Sequence, residues 1–127
     1  MDRNEFSRIR RYLRKSQRKM GLMLGISQKA VETYEMGTRN IPTSVERQAL
    51  FLLASKSPRK RKVPVCWKVK HCSVETRQAC PAWEFQLGHL CWFVNGTICE
   101  GVAQENWQKK IAICRSCEVF RSAVHIP

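Results

Sequence analysis

The sequence predicts two unlike modules: an α-helical amino-terminal bundle of four to five helices, then a small irregular cysteine-rich module with a β-hairpin. Three observations carry this. Apolar residues recur at spacings of three and four as far as residue 54, punctuated by glycine. Residues 1–62 hold sixteen Lys and Arg against five Asp and Glu, net +11, whereas residues 63–127 hold seven against five, net +2. All seven cysteines lie beyond residue 65. The implied boundaries are a helical domain at 1–55, a basic linker at 56–65, the cysteine-rich module at 66–120 and a tail at 121–127.

Each helix has its own signals. Phe6, Ile9 and Leu13 make one apolar face between Asp2 and Lys15, with arginines opposite. Ser16 can cap a second helix, Gln17 to Leu24, in which Met20 and Leu24 lie one turn apart and Gly21 permits close approach of a neighbour. Gly25 ends it by taking the left-handed conformation. Ser27 caps a third helix, Gln28 to about Met36, which buries Ala30, Val31 and Tyr34 before Gly37 interrupts the pattern. A tight Gly25-Ile26-Ser27 turn therefore joins helices two and three, a helix-turn-helix arrangement. Thr43-Ser44-Val45-Glu46 has the form of a capping box and opens a fourth helix, with Val45, Ala49, Leu52 and Leu53 closing the core.

Lys56 to Lys62 has no apolar period and carries like charges that repel, as a linker would. Beyond it the strongest local signal is a hairpin, with Trp92-Phe93-Val94 and Thr97-Ile98-Cys99 as strands around Asn95-Gly96. In that register Cys91 and Cys99 point to opposite faces unless Cys91 precedes the paired strand.

The charge of the first half suits a polyanion, because each phosphate neutralised releases condensed counterions. No apolar run approaches the roughly 20 residues that cross a bilayer. The charged amino-terminus has no apolar signal region, which points to a reducing cytoplasm. There, clustered cysteines are metal ligands or redox groups sooner than a disulfide framework. Neither a thioredoxin-like context around Cys114-x-x-Cys117 nor a Ser/His/Asp set is recognisable, so no enzyme is expected.

The stretch from Ser16-Gln17 through Gly21, Leu24-Gly25-Ile26-Ser27, Val31, Tyr34-Glu35 and Gly37 resembles the repressor/Cro-like (XRE) helix-turn-helix family, over residues 6–54. The family more often has Ala where this chain has Gly21. The resemblance implies that helix three enters the DNA major groove with Gln28, Lys29, Glu32 and Thr33 toward base edges. Gln pairs with adenine, Lys donates to guanine, and a Thr methyl meets that of thymine, while Glu32 either accepts from cytosine or faces solvent. It also implies phosphate contacts from Gln17, Arg18, Arg39 and Asn40. Arg10 and Glu35 match positions that form a bracing ion pair in some members.

Cys66-Trp67, Cys72, Cys80-Pro81-Ala82, Cys91-Trp92, Gly96-Thr97, Cys99 and Cys114-Arg-Ser-Cys117 resemble the two-CW domain, a resemblance that names no ligand. Chemically, Cys114-x-x-Cys117 lets two thiolates bind one metal from a tight turn, and Cys66, Cys72 and Cys80 could complete a four-thiolate site. Counting Cys91 and Cys99, seven ligands exceed one such site; a second completed by His71 or His89, a redox pair, or packing accounts for the surplus. The irregular spacing suits an iron–sulfur cluster somewhat better than zinc. Indoles beside Cys66 and Cys91 either pack or shield the site.

The expectation is a sequence-specific DNA-binding transcriptional regulator, homodimeric on a double-stranded operator, with a cysteine module sensing redox or metal state. The alternative is an interaction adaptor with a structural zinc site and only non-specific DNA affinity.

Overall fold

Side-chain caps set most of the helix starts in the computed structural model, which describes residues 1–56, 63–99, 101–104 and 106–126. The chain divides into two compact units, Met1–Lys56 together with His125–Pro127, and Ser57–Val124. Of the expected basic linker, residues 57–62 lie outside the described residues.

In the first unit the Asp2 carboxylate accepts the Glu5 N–H at 2.8 Å and starts α1, Arg3–Tyr12. Ser16 Oγ accepts the Lys19 N–H at 3.1 Å and starts α2, Gln17–Leu24. Gly25, at φ +70°, ends α2, and Ser27 Oγ accepts the Ala30 N–H at 3.0 Å to start α3, Gln28–Met36. The turn between them is therefore three residues, and it folds tightly back on α2. A Cβ at Gly21 would stand 2.8 Å from the Ile26 carbonyl oxygen, so a glycine is what admits the turn backbone there. Gly37, at φ +80°, ends α3, and α4 runs Thr43–Lys56.

The apolar faces meet in one core, where Phe6, Ile9, Met20, Val31, Ala49 and Leu50 have no exposed surface. Burying each large side chain of this kind contributes about 1.5–3 kcal/mol. Phe6 and Tyr34 meet edge to face at 6.0 Å, locking α1 to α3. Two positions differ from the periodicity. Leu50, not Leu52, is buried on α4, and Ala30 is half-buried.

The second unit is more helical than its sequence suggests. Single turns and short helices follow one another: α5 Cys66–Val69, α6 Val74–Ala79, α7 Pro81–Glu84, a 3-10 turn at Cys91–Phe93, then α8 Trp107–Cys114 and α9 Glu118–Ala123. Ser73 and Asn106 cap α6 and α8 with side-chain oxygens. Helix α9 continues to Ala123, with Ala123 and Val124 buried, where a tail was expected from residue 121. Trp92 forms the centre of this core, fully buried and edge-on to Phe93 at 5.8 Å and Phe120 at 5.7 Å.

The hairpin is displaced from its expected place. Trp92 and Phe93 lie in the 3-10 turn, and β1, Ile98–Cys99, pairs antiparallel with β2, Val102–Ala103, in the register Ile98↔Ala103 and Cys99↔Val102. Gly101, at φ +79°, belongs to the connection, while Asn95-Gly96 is a separate turn, Gly96 at φ +84°. The aromatic pair that resembles a strand is drawn instead into the core around Phe120. Among the described residues no helix is long and apolar enough to cross a membrane.

Candidate nucleic-acid face and thiol pocket

Gln28 and Lys29 occupy the first turn of α3 and are exposed, while Val31 and Tyr34 turn the opposite side of that helix into the core. Glu32 sits one turn further on. It accepts from Gln28 Nε2 at 3.3 Å and faces Lys29 Nζ at 3.8 Å, so one carboxylate holds both side chains on a single outward stripe. Thr33 Oγ1 donates to the Ala30 carbonyl at 2.8 Å, which occupies the hydroxyl and leaves the methyl. Arg18, Arg39 and Asn40 are exposed, and Arg39 lies over the Tyr34 ring at 5.7 Å.

Behind this face stands a polar brace. Arg10 Nε donates to Glu35 Oε1 and Arg10 Nη2 to Oε2 at 3.2 Å, while Nη1 reaches the Lys15 carbonyl at 2.9 Å. Gln17 Nε2 also donates to Glu35, at 3.1 Å. Helices α1, α2 and α3 thus converge on one carboxylate. Burial alone would push Glu35 up, but the hydrogen bonds from Arg10 and Gln17 outweigh it and hold the carboxyl below its ordinary 4.5. Gln17, expected on phosphate, is half-buried with its amide N–H engaged in this brace. Residues 1–56 carry twelve Lys and Arg against five Asp and Glu, net +7.

In the second unit five of the seven cysteines, Cys66, Cys72, Cys80, Cys91 and Cys99, line one small pocket of about 20 Å³, room for about one water molecule. They arrive from α5, from the loop after it, from the junction of α6 and α7, from the 3-10 turn and from β1. Cys91 and Cys99, which the expected hairpin would have turned to opposite faces, thus share a cavity. The reason is the 3-10 turn, which takes Cys91 out of the strand. Cys114 and Cys117 are not among the lining residues, nor are His71 and His89, both exposed. Cys114 is instead packed on the buried side of α8, where burial pushes its thiol up to about 12.

Trp67 and Trp83 form a wall of the pocket, edge to face at 4.8 Å. Of the two roles open to the indole beside Cys91, packing or shielding, Trp92 takes the first and lies in the core. The Cys91 thiol hydrogen-bonds to Cys66; that bond raises Cys91, with burial adding to it, and lowers Cys66 against its own burial. Cys72 is raised by burial and then by the nearby Cys80 and Cys99. One sulfur accepts from the backbone and another meets a hydroxyl. Ile98 N–H points at Cys80 Sγ at 3.5 Å, and Thr97 Oγ1 lies 3.6 Å from Cys99 Sγ.

Sequence reasoning passed over the cations here. Lys110 has no exposed surface, and its Nζ donates to the equally buried Thr97 Oγ1 at 2.5 Å. Its charge bears on Cys91 and Cys114. The signal was present: Trp107, Lys110, Ile111 and Cys114 share the buried stripe of α8, a lysine at an apolar position. Lys70 and Arg77 line the pocket, and Arg77 also lies over the Trp83 ring at 5.3 Å. Among the described residues no three His, Cys, Asp or Glu side chains stand close enough together to share one metal ion. Compared with known proteins, the chain matches no protein-family profile, no curated protein and no solved structure.

Proposed function

We propose that the first unit is a helix-turn-helix that binds duplex DNA through α3 and makes the protein a sequence-specific transcriptional regulator. The observation that carries this is the outward first turn of α3, with Gln28 and Lys29 exposed and tethered by Glu32, on a unit of net charge +7. A helix presented end-first suits the major groove, where Gln28 can take adenine and Lys29 guanine. With its hydroxyl bonded to Ala30, Thr33 offers a methyl suited to thymine. Glu32 then has a positioning role, ordering the two readers before contact.

Arg18, Arg39 and Asn40 supply phosphate contacts, and Gln17 acts mainly by fixing α2 against α3. Binding as a homodimer on two half-sites would supply the area that one small unit lacks. The second unit, with its grouped thiols, gives the regulator its signal, a change of metal or redox state.

Selection of duplexes from a random library, followed by binding across a salt titration, tests this. An enriched sequence should bind at least about 10³-fold tighter than a scrambled duplex. Equal affinity for both at every salt concentration would leave only an adaptor with non-specific DNA affinity.

A further inference from the structure

We propose that Cys99 is a peroxide-reactive thiol: hydrogen peroxide oxidises it at the mouth of the thiol pocket, and Cys80 then closes a disulfide with it. The inference deepens the redox-sensing role given to the second unit, rests on that reading for its purpose, and names the oxidant and the sulfur that meets it.

A chain of contacts begins at Lys110. An ammonium group is costly to enclose and offers donors only. Its Nζ donates to Thr97 Oγ1 at 2.5 Å, and neither side chain has any exposed surface. Thr97 Oγ1 in turn stands 3.6 Å from Cys99 Sγ. With its oxygen accepting from Lys110, the threonine keeps one proton to give, and the Cys99 sulfur is the acceptor within reach. A donor backed by a cation is the partner that an anionic sulfur needs, and the thiolate is the nucleophilic form of cysteine. The relay comes from the sealed interior, while Cys99 itself is half-buried and lines the pocket.

The pocket selects the oxidant by size. Room for about one water suits a small peroxide meeting a single sulfur, and it excludes a bulky disulfide such as oxidised glutathione. The lining holds Lys70 and Arg77 and no carboxylate among the described residues, and Arg77 Nε is buried there without a hydrogen-bond partner. Such a wall suits the hydroxide that leaves a cleaved peroxide.

The first step is attack by Cys99 Sγ, as thiolate, on one oxygen of hydrogen peroxide. The O–O bond breaks, the sulfur becomes a sulfenic acid, and the departing hydroxide takes up the proton that the thiol gave, leaving as water. Cys80 Sγ then attacks the oxidised sulfur. An S–S bond forms, the S–O bond breaks, and the second hydroxide leaves as water with the Cys80 proton. Two thiols are oxidised and one peroxide is reduced to two waters.

Cys80 is the second thiol by position. The Ile98 N–H points at Cys80 Sγ at 3.5 Å, which sets that sulfur beside the residue preceding Cys99 on β1. Cys91 is the most enclosed of the five, 6% exposed.

The test treats the reduced full chain with an equimolar amount of hydrogen peroxide, alkylates the remaining thiols and maps them by mass spectrometry. A Cys80–Cys99 disulfide is expected first, with Cys114 and Cys117 still alkylated, and oxidised glutathione at the same concentration should leave Cys99 reduced. Cys80→Ser should hold Cys99 as a sulfenic acid that dimedone captures. Lys110→Met and Thr97→Val should each slow oxidation of Cys99 by about tenfold or more, the scale of one hydrogen bond to a charged group, and leave the rate at Cys117 unchanged. Whether or not the variants fold, a wild-type map in which Cys99 is oxidised no sooner than Cys117 overturns the proposal. A first disulfide that omits Cys80 overturns the pairing. Wild-type rates at Cys99 in both relay variants, with folding intact by circular dichroism, overturn the role of Lys110 and Thr97. A Cys80–Cys99 disulfide that leaves duplex affinity unchanged would keep this site and remove the sensing role. Peroxide-driven release of the selected duplex by Cys99→Ser would remove the site and keep the sensor.

Discussion

Glu35 gathers donors from two helices besides its own, so its ionisation is a stability term for the whole first unit. Its folded pKa is lowered, so the stabilisation is fully present above the ordinary value of 4.5 and is lost as pH falls through the folded value. Thermal melts of the wild type should therefore decline below about pH 4.5, and Glu35→Gln should flatten that decline while lowering stability at pH 7 by roughly 1.5–3 kcal/mol. An unchanged acid limb in Glu35→Gln would show that the brace contributes nothing. Gly21 is the other decisive residue. Replacing a helical glycine by alanine ordinarily gains about 0.5–1 kcal/mol. Here the new methyl meets the backbone carbonyl of Ile26 at 2.8 Å, and overpacking of that kind costs about 1–3 kcal/mol. Gly21→Ala should therefore lower the melting temperature, the opposite of the propensity expectation. From the sequence alone Gly21 read as a place where a neighbouring helix could approach closely; the neighbour is instead the turn backbone at Ile26, five residues on, which propensity does not register.

At the scale of elements, α2 and α3 were legible to the residue because three local signals agree: serine caps, a helical apolar period and left-handed glycines. The same logic predicts how α3 acts. Gln28→Ala or Lys29→Ala should cost roughly 1–3 kcal/mol at one base position and relax preference there. Gln17→Ala should weaken all duplexes alike through a loosened α2. Base preference unaltered in both α3 variants would remove this helix from the readout. The hairpin was misplaced for a corresponding reason. Asn95-Gly96 is a turn, but its flanking Trp92 and Phe93 have a stronger claim on them than sheet pairing, since Trp92 is fully buried against Phe120. Burial overrode aromatic β-propensity, and β1 found its partner after Gly101. Local pattern therefore located the bundle's elements and failed where a long-range contact decided.

For the molecule as a whole, charge was readable and the grouping of the cysteines was not. A net +13 concentrated toward one end predicts that duplex affinity falls steeply with salt, with a log–log slope near −0.9 per phosphate neutralised. Arg18→Ala or Arg39→Ala should each reduce that slope by about one; slopes equal to wild type would place both arginines off the backbone. The CxxC at Cys114 and Cys117 was the most visible motif, yet the pocket draws on five cysteines between Cys66 and Cys99, brought together by three short elements, a loop and a helix junction. No spacing rule announces a site assembled by tertiary folding. Lys110, sealed in the second unit with a hydroxyl as its partner, has a further consequence. Burying a cation costs free energy that one hydroxyl partner repays only in part, so Lys110→Met should raise the melting temperature of the full chain, and a lowered one would show that the contact with Thr97 is the stronger term.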